Sequence, residues 1–123
     1  MIHRIKFNSK TFKIYSLKSK EIEEIFKNPR LLQKKFSIIL PYFKVKLTVK
    51  VFVRDNEEFL IKYGIIASKK IGKAAKRNFL KRRIRQIFIE AFKKKLLSLK
   101  SNFHFKNKFC ALLFTIKKLQ NKS

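Results

Sequence analysis

The sequence contains only seven acidic residues, one cysteine and two histidines in 123 residues. The lone Cys110 excludes an internal disulfide and a zinc site built from several cysteines. A two-metal nuclease needs several carboxylates that converge on Mg²⁺, but six of the seven acids fall in two short clusters and Glu90 stands apart. His3 and His104 lie in basic, polar surroundings without a spaced partner, which argues against acid–base cleavage by paired histidines. We therefore predict that the protein itself has no catalytic and no metal-binding residues.

Long hydrophobic runs are also missing. No segment approaches the roughly 20 apolar residues of a membrane helix, because lysine interrupts every candidate, and we predict no contact with a membrane. The first twenty residues contain no acid and five lysines, a composition that also occurs in transit peptides. They lack the apolar core of a secretory signal and are poor in the arginine typical of organellar leaders. We therefore predict a cytoplasmic protein, with an organellar leader as the alternative.

Positive charge dominates what is present. The chain has 33 Lys and Arg residues against 7 Asp and Glu residues, a net charge of +26. This charge far exceeds what solubility requires, so the expected partner is a polyanion. Hydrophobic residues make up 46% of the chain and include 14 phenylalanines, enough to close a core. Composition and length therefore predict one folded domain, residues 1–123.

The basic residues concentrate between Ser68 and Glu90, where every charged residue before that glutamate is Lys or Arg. The apolar residues of this segment recur at helical spacing and predict one buried face, formed by Leu80, Ile84, Ile87, Phe88, Ala91 and Phe92. The helical period sets the opposite face outward, with Asn78, Arg82, Arg85 and Gln86 on it and Lys81 at its edge. Such a cationic stripe suits the phosphates of nucleic acid. A merely solvated helix face is the alternative.

The remaining chain predicts an α/β order of elements. A helix is expected over residues 20–27, ended by Asn28 and Pro29. Apolar or alternating runs predict strands over residues 36–43, 45–53 and 59–65, the last two joined as a hairpin through turn residues 54–57. Gly72 breaks the chain before the basic helix, and residues 109–116 predict a final strand around a buried Cys110. The predicted order is helix, three strands, basic helix, strand.

Two adjacent segments resemble the signature of the bacterial ribonuclease P protein subunit. They are GIIASKKIG, residues 64–72, and RNFLKRRIRQ, residues 77–86. The signature of that family is an Arg-Asn-Arg core that opens a basic helix, entered from a strand through Ser-Lys-Lys-hydrophobic-Gly. This chain departs from it at Phe79, where the family has the second arginine. The resemblance extends over about residues 17–116.

The resemblance implies a single-domain α/β fold, an α+β sandwich. In this family the basic helix connects two parallel strands by a left-handed crossover, against the usual right-handed rule. Members generally continue into a C-terminal helix packed on the sheet, for which too few residues follow Ile116 here. We therefore expect either a less covered sheet or cover from the first twenty residues.

The function that the resemblance implies is assistance to an RNA enzyme. Ribonuclease P removes the 5′ leader of precursor tRNA, with chemistry by its RNA subunit and Mg²⁺ bound mainly by that RNA. The implied partners are ribonuclease P RNA and precursor tRNA, one protein per RNA, with no small-molecule substrate and no activity of the protein alone. The residues implied to bind RNA are Lys69, Lys70, Lys73, Lys76, Arg77, Asn78, Lys81, Arg82 and Arg85. The residues implied to form the leader-binding cleft are Ile22, Phe26, Phe36 and Ile39.

Several alternatives stay open from the sequence. A structural RNA-binding protein, such as a ribosomal protein, would show the same charge and helix. A membrane-active basic peptide is disfavoured, because the apolar helix face is needed for the core. Asn78 fits a helix-start residue, and Phe26 fits the core as well as a cleft. Phe79 lies off the apolar face, so it is expected to be exposed and to stack on an RNA base, unless the adjoining loop covers it.

Overall fold

The computed structural model describes residues 2–7, 10–27, 31–99 and 108–121. Its strands are β1 (Ile2–Phe7), β2 (Lys10–Ser16), β3 (Leu32–Ile39), β4 (Phe43–Asp55), β5 (Leu60–Ala67) and β6 (Lys108–Asn121). Its helices are α1 (Ser19–Lys27) and α2 (Ala74–Leu99), and a 3₁₀ turn covers Lys69–Ile71. The predicted order of helix, three strands, basic helix and strand is confirmed from α1 onward.

Strand β6 lies inside a six-stranded sheet whose order is β1-β2-β5-β6-β4-β3. It pairs in parallel with β5 and antiparallel with β4. Its central place follows from its sequence, because every side chain from Phe109 to Ile116 is buried or half-buried, and all but Thr115 are apolar. Helix α2 therefore connects two parallel neighbouring strands, as expected. The left hand of that crossover stays a prediction.

The predicted hairpin of β4 and β5 is wrong, because β6 lies between these strands. The hairpin is instead formed by β3 and β4, where Ile38 stands opposite Val45 and the Leu40 N–H donates to the Phe43 carbonyl at 2.8 Å. The turn residues after β4 do reverse the chain, and the Asn56 side-chain amide donates to the Glu58 carbonyl at 2.7 Å. The turn residues thus reverse the direction of the chain, but they do not determine which strand pairs with β4. The burial of β6 between β4 and β5 decides that pairing.

A β1–β2 hairpin precedes α1 and was not predicted. Strand β2 extends the sheet by pairing in parallel with β5, with Ile14 opposite Ile61. Ile14 is fully buried in the main core. This basic segment therefore widens the sheet, and the buried Ile14 anchors it there.

The two helices lie on opposite faces of the sheet. On the face that we call the α2 face, Phe88 packs against Tyr63 and Phe114, with ring centroids 5.5 and 5.2 Å apart. On the other, the α1 face, Lys62 of β5 pairs with Glu21 of α1. Because neighbouring residues of a strand point to opposite faces, Lys62 and Tyr63 place α1 and α2 on different sides.

Helix α1 is held to β5 by a close approach and an ion pair. A side chain at position 64 would start 3.3 to 3.4 Å from Leu113, Ile22 and Leu17, so Gly64 lets the helix pack tightly. The Lys62 ammonium donates to the Glu21 carboxylate at 2.7 Å, and the Lys18 N–H donates to the same group at 3.0 Å. Burial raises the pKa of Glu21, but the hydrogen bonds from Lys62 and Lys18 outweigh it and lower that pKa below its usual value.

The buried face of α2 differs in part from the predicted one. Leu80 and Ile84 are 0% and 2% exposed, and Phe88 and Phe92 pack against the same core. Ile87 is 39% exposed, and Ala91 is also exposed, so the prediction that these two are buried is wrong. The buried residues form one row at i, i+4, i+8 and i+12, and a helix that packs along such a row turns Ile87 and Ala91 outward.

Candidate nucleic-acid interface

The entrance to α2 is a 3₁₀ turn that exposes two lysines. Ile71 is buried in the main core, and its N–H donates to the Ser68 carbonyl at 3.1 Å. Gly72 has φ of 148°, a conformation that side chains disfavour, and a Cβ there would lie 2.8 Å from the Lys76 side chain. Lys69 and Lys70, on the same turn, are exposed. The buried isoleucine and the glycine thus hold this basic pair outward.

The predicted RNA-binding residues of α2 divide into two sets. Lys73, Asn78 and Arg82 are exposed. The half-buried set flanks the apolar row and comprises Lys76, Arg77, Lys81 and Arg85. Arg85 was predicted to point outward, so its half-buried position is a correction. It arises because Arg77, Lys81 and Arg85 form the i+4 row beside Leu80 and Ile84, and their stems cover the core edge.

Two of these arginines carry a buried donor without a partner. The Nε atoms of Arg77 and Arg85 are buried and make no hydrogen bond within the part of the chain that the structure describes. An unsatisfied buried donor typically costs about 1 to 3 kcal/mol. Stability alone does not account for arginine at these positions, which is consistent with a binding role.

Lys76 is positioned by an aromatic ring. Its ammonium lies 5.0 Å from the centre of the Phe43 ring, at the start of β4. Such a cation–π contact fixes a side chain that would otherwise be flexible. Beside it, a hollow of about 310 Å³ opens between the 3₁₀ turn, α2 and the end of β6. The residues that line this hollow are Lys70, Ile71, Lys76, Lys117, Lys118 and Leu119. The sequence prediction did not include Lys117 and Lys118, although the doublet is visible just beyond the last predicted strand.

Phe79 is 46% exposed on α2, so the predicted exposure is confirmed. It lies between Asn78 and Leu80, and the latter points into the core. An exposed phenylalanine in a basic surface offers a face on which a base can stack.

We expect Phe79→Ala to weaken RNA binding without changing its salt dependence. Stacking of one base on an aromatic side chain contributes about 1 to 3 kcal/mol and involves no counterion release. RNA affinity measured over a salt series would show a lower affinity and an unchanged slope. The thermal stability of the free protein should stay within about 0.5 kcal/mol, as for other surface positions.

Ile87→Ala is the matched control, since Ile87 is also an exposed apolar residue of α2. Phe79→Arg, which restores the family residue, should instead steepen the salt slope by about 0.7 to 0.9. A loss of about 1 to 3 kcal/mol in unfolding of the free Phe79→Arg protein would show local burial and refute stacking.

The predicted cleft residues do not all lie on one face. Ile22 is half-buried on the α1 face, against Gly64. The side chain of Phe26 lies outside the described residues. Phe36 stands opposite Leu47, a core residue of the α2 face, so it lies on the other side from Ile22. Ile39 is exposed and stands opposite Lys44. The structure therefore places Ile22 and Phe36 apart.

The α1 face has two concave regions of its own. The larger, about 560 Å³, is lined mainly by residues that the register of β3 and β4 places on this face, and it is also bordered by Phe36 and Leu47, which the register places on the α2 face. Its lining residues are Gln33, Lys35, Phe36, Ser37, Lys46, Leu47, Thr48, Lys117 and Lys118. The smaller, about 130 Å³, lies beside α1 and is lined by Glu21, Glu24, Ile25, Phe52, Arg54 and Phe109. In the smaller one the Arg54 guanidinium lies 4.5 Å above the Phe109 ring, and Phe52 meets that ring edge-on. Sequence reasoning missed these aromatics because Phe52 and Phe109 are 57 positions apart in the chain.

Features of other kinds of site are few among the described residues. Within the described ranges, no three His, Cys, Asp or Glu side chains come together as metal ligands would. Cys110 is half-buried rather than buried, and burial raises the pKa of its thiol. None of the helices in those ranges is both long and apolar enough to cross a membrane.

Comparison with known proteins identifies the family. The Ribonuclease P family matches residues 3–115 of this chain. The chain is 44% identical over 68 residues to the ribonuclease P protein component of Mycoplasma capricolum, a match that covers 50% of this chain and 60% of that protein. The same protein of Mycoplasma mycoides is 41% identical over the same shares. The matched region thus spans less than two thirds of these relatives, and no solved structure matches. Because the family match covers most of the sequence, the chain belongs to the Ribonuclease P family of proteins.

Proposed function

We propose that this protein is the protein subunit of ribonuclease P, which binds the catalytic RNA and the 5′ leader of precursor tRNA. One observation carries the proposal: the family match includes the whole of the 3₁₀ turn and α2, the most basic exposed surface described. A general RNA-binding role, such as that of a ribosomal protein, would explain the charge but not this match. The family match therefore favours the first reading.

Charge neutralisation is the contribution that we propose for α2. The enzyme RNA and its substrate are both polyanions and repel each other as they approach. A protein with a net charge of +26 reduces that repulsion by direct phosphate contacts and by its long-range field. The exposed Lys69, Lys73 and Arg82 are suitably placed for such contacts.

Binding of the single-stranded leader is proposed for the α1 face. Its larger hollow is lined by several lysines, and its smaller one presents the half-buried Phe52 and the exposed Arg54, with Phe109 buried beneath the Arg54 guanidinium. Lysines that track a backbone and aromatic rings that stack bases are the features of sequence-tolerant single-strand binding. Of the four cleft residues that the resemblance implies, Ile22 and Ile39 lie on this face.

The chemistry is assigned to the RNA in this proposal. Mg²⁺ would supply the activated nucleophile and stabilise the leaving oxygen. The described carboxylates do not fit such a site, since no three of them come together as metal ligands would, and Glu21 and Asp55 are each paired with a lysine. We therefore propose that the RNA binds Mg²⁺ and that the protein alone is inactive. One protein per RNA and a cytoplasmic location belong to the same proposal.

Reconstitution tests the proposed function. The purified protein should raise cleavage of precursor tRNA by its ribonuclease P RNA at low Mg²⁺, because neutralised phosphates need fewer metal ions. The stimulation should be larger for a substrate with a leader of several nucleotides than for one with a single leader nucleotide. The products should carry the mature 5′ end of the tRNA.

Two controls separate the alternatives. The protein without RNA should leave precursor tRNA intact, and cleavage there would overturn the assignment of chemistry to RNA. An unrelated protein of similar charge should give little leader-dependent stimulation. Equal stimulation by that protein would indicate a general RNA-binding role.

A further inference from the structure

We propose that Lys117 and Lys118 bind neighbouring phosphates of a single RNA strand that crosses from α2 to the α1 face of the sheet. This inference rests on the RNA-binding part of the proposed function. It adds a crossing point at the end of β6 that joins the two basic surfaces described above.

The first observation is that both lysines are shared by two hollows. The hollow of about 310 Å³ beside α2 and the one of about 560 Å³ on the α1 face are each lined by Lys117 and Lys118. Both are exposed. They lie where the register between β4 and β6 shifts, since Lys46 stands opposite Lys118 but Leu47 opposite Ile116. The resulting bulge at Lys117 places two consecutive lysines at one edge.

The second observation is that the sheet is open at this place. The pairing of β5 with β6 ends at Ala67 and Ile116, whereas that of β4 with β6 continues to Asn121. Beyond Ile116, β6 therefore projects past the end of β5 and faces the 3₁₀ turn. A single RNA strand can pass around the end of β5, from Lys70 and Lys76 to the hollow beside Lys46.

The third observation is electrostatic. Lys118 stands directly opposite Lys46 in an antiparallel pair, an arrangement in which like charges are destabilising. None of the residues that line the two hollows is acidic. The ion pair of Glu21 with Lys62 joins α1 to β5, and that of Asp55 with Lys108 lies at the opposite end of the β4–β6 pairing from Lys118. A phosphate between these ammonium groups would remove the repulsion that the free protein carries.

The geometry favours a single strand over a duplex. The proposed path of the nucleic acid turns around the end of β5, from one face of the sheet to the other, within the thickness of that sheet. Duplex nucleic acid is stiff over about 150 base pairs in the case of DNA and does not make such a turn cheaply. A single strand bends freely, and a positively charged groove that follows its backbone is the usual way to bind it.

Binding of a single-stranded RNA oligonucleotide of mixed sequence tests this proposal. Lys117→Ala with Lys118→Ala should lower the slope of log affinity against log salt by about 1.4, which is 0.7 for each lost contact. The ratio of the RNA affinity of the unsubstituted protein to that of the double variant should then fall about sevenfold between 50 and 200 mM salt. Lys20→Ala with Lys27→Ala is the matched control. Both lysines are exposed on α1, and their replacement removes the same amount of charge. Equal slopes in both double variants would overturn the proposal.

Stability and a second ligand complete the test. Lys118→Ala should leave the Tm of the free protein unchanged or higher at low salt, because it removes the repulsion with Lys46. A lower Tm would show that the lysine has a structural role and would overturn the electrostatic argument. Inorganic phosphate should compete only weakly with the oligonucleotide. Strong competition together with an unchanged RNA slope would assign the site to free phosphate instead.

The test of the crossing point can fail independently of the test of the proposed function. If the unsubstituted protein stimulates cleavage but the lysine variant keeps its salt slope, only the crossing point is refuted. If the slope falls as expected but the protein gives no stimulation, the crossing point stands and the ribonuclease P assignment fails.

Discussion

Replacing Arg82 and Arg85 together by alanine is expected to weaken RNA binding and to lower its salt slope by about 1.4 to 1.8. The figure is 0.7 to 0.9 for each lost phosphate contact, the range between single strands and duplexes. Arg82 is exposed on α2, and Arg85 extends from the core edge beside it. Affinity for ribonuclease P RNA measured between 50 and 200 mM salt gives the slope directly.

Two matched variants make this result interpretable. Lys93→Ala with Lys94→Ala removes the same charge from exposed positions nearer the end of α2, and it should change the slope less. Arg82→Lys with Arg85→Lys keeps the charge but loses the planar fork, so affinity should fall while the slope is retained. An unchanged slope in the alanine variant would mean that the cationic row is only a solvated helix face.

The second large effect is expected in the core. Ile84→Ala should destabilise the protein by about 2 to 5 kcal/mol, because it leaves a cavity where the side chain is 2% exposed. At about 4 °C per kcal/mol for a domain of this size, Tm should fall by roughly 8 to 20 °C. Thermal or denaturant unfolding followed by circular dichroism measures this loss.

Ile87→Ala, three residues further along the same helix, is the control. Ile87 is 39% exposed, so its truncation should cost no more than about 1 kcal/mol. The sequence pattern placed both isoleucines on the buried face, whereas the structure separates them. Equal losses for the two variants would contradict the packing of α2 along the row from Leu80 to Phe92.

Helix α2 shows what a local pattern can and cannot predict. Its existence and the burial of Leu80 and Ile84 follow from the spacing of apolar residues. Which residues lie at the edge of the buried stripe depends on how the helix lies on the sheet. That orientation turned Ile87 outward and buried the stem of Arg85, because packing follows an i+4 row that rotates along the helix.

In the sheet, too, local patterns predict the strands but not which strands are neighbours. The alternation in residues 45–53 predicted β4 correctly, since a period of two depends only on neighbouring residues. The place of β6 between β4 and β5 depends on a strand 53 positions away in sequence, as the pairing of Asp55 with Lys108 shows. No turn signal encodes such a pairing. For the same reason the sequence does not predict the β1–β2 hairpin, because this basic segment joins the sheet through long-range pairing with β5 and through the packing of Ile14 in the core.

The sequence by itself determined the high positive charge, the basic helix and the family signature, because net charge, helical period and a motif of consecutive residues need no knowledge of the fold. The tertiary structure alone decided which distant residues share a surface. It brought Lys117 and Lys118 beside Lys70 and Lys76, and it placed Phe36 on the other face from Ile22. The physical reason is that surface composition depends on strand order and register, which long-range burial sets and local sequence does not encode.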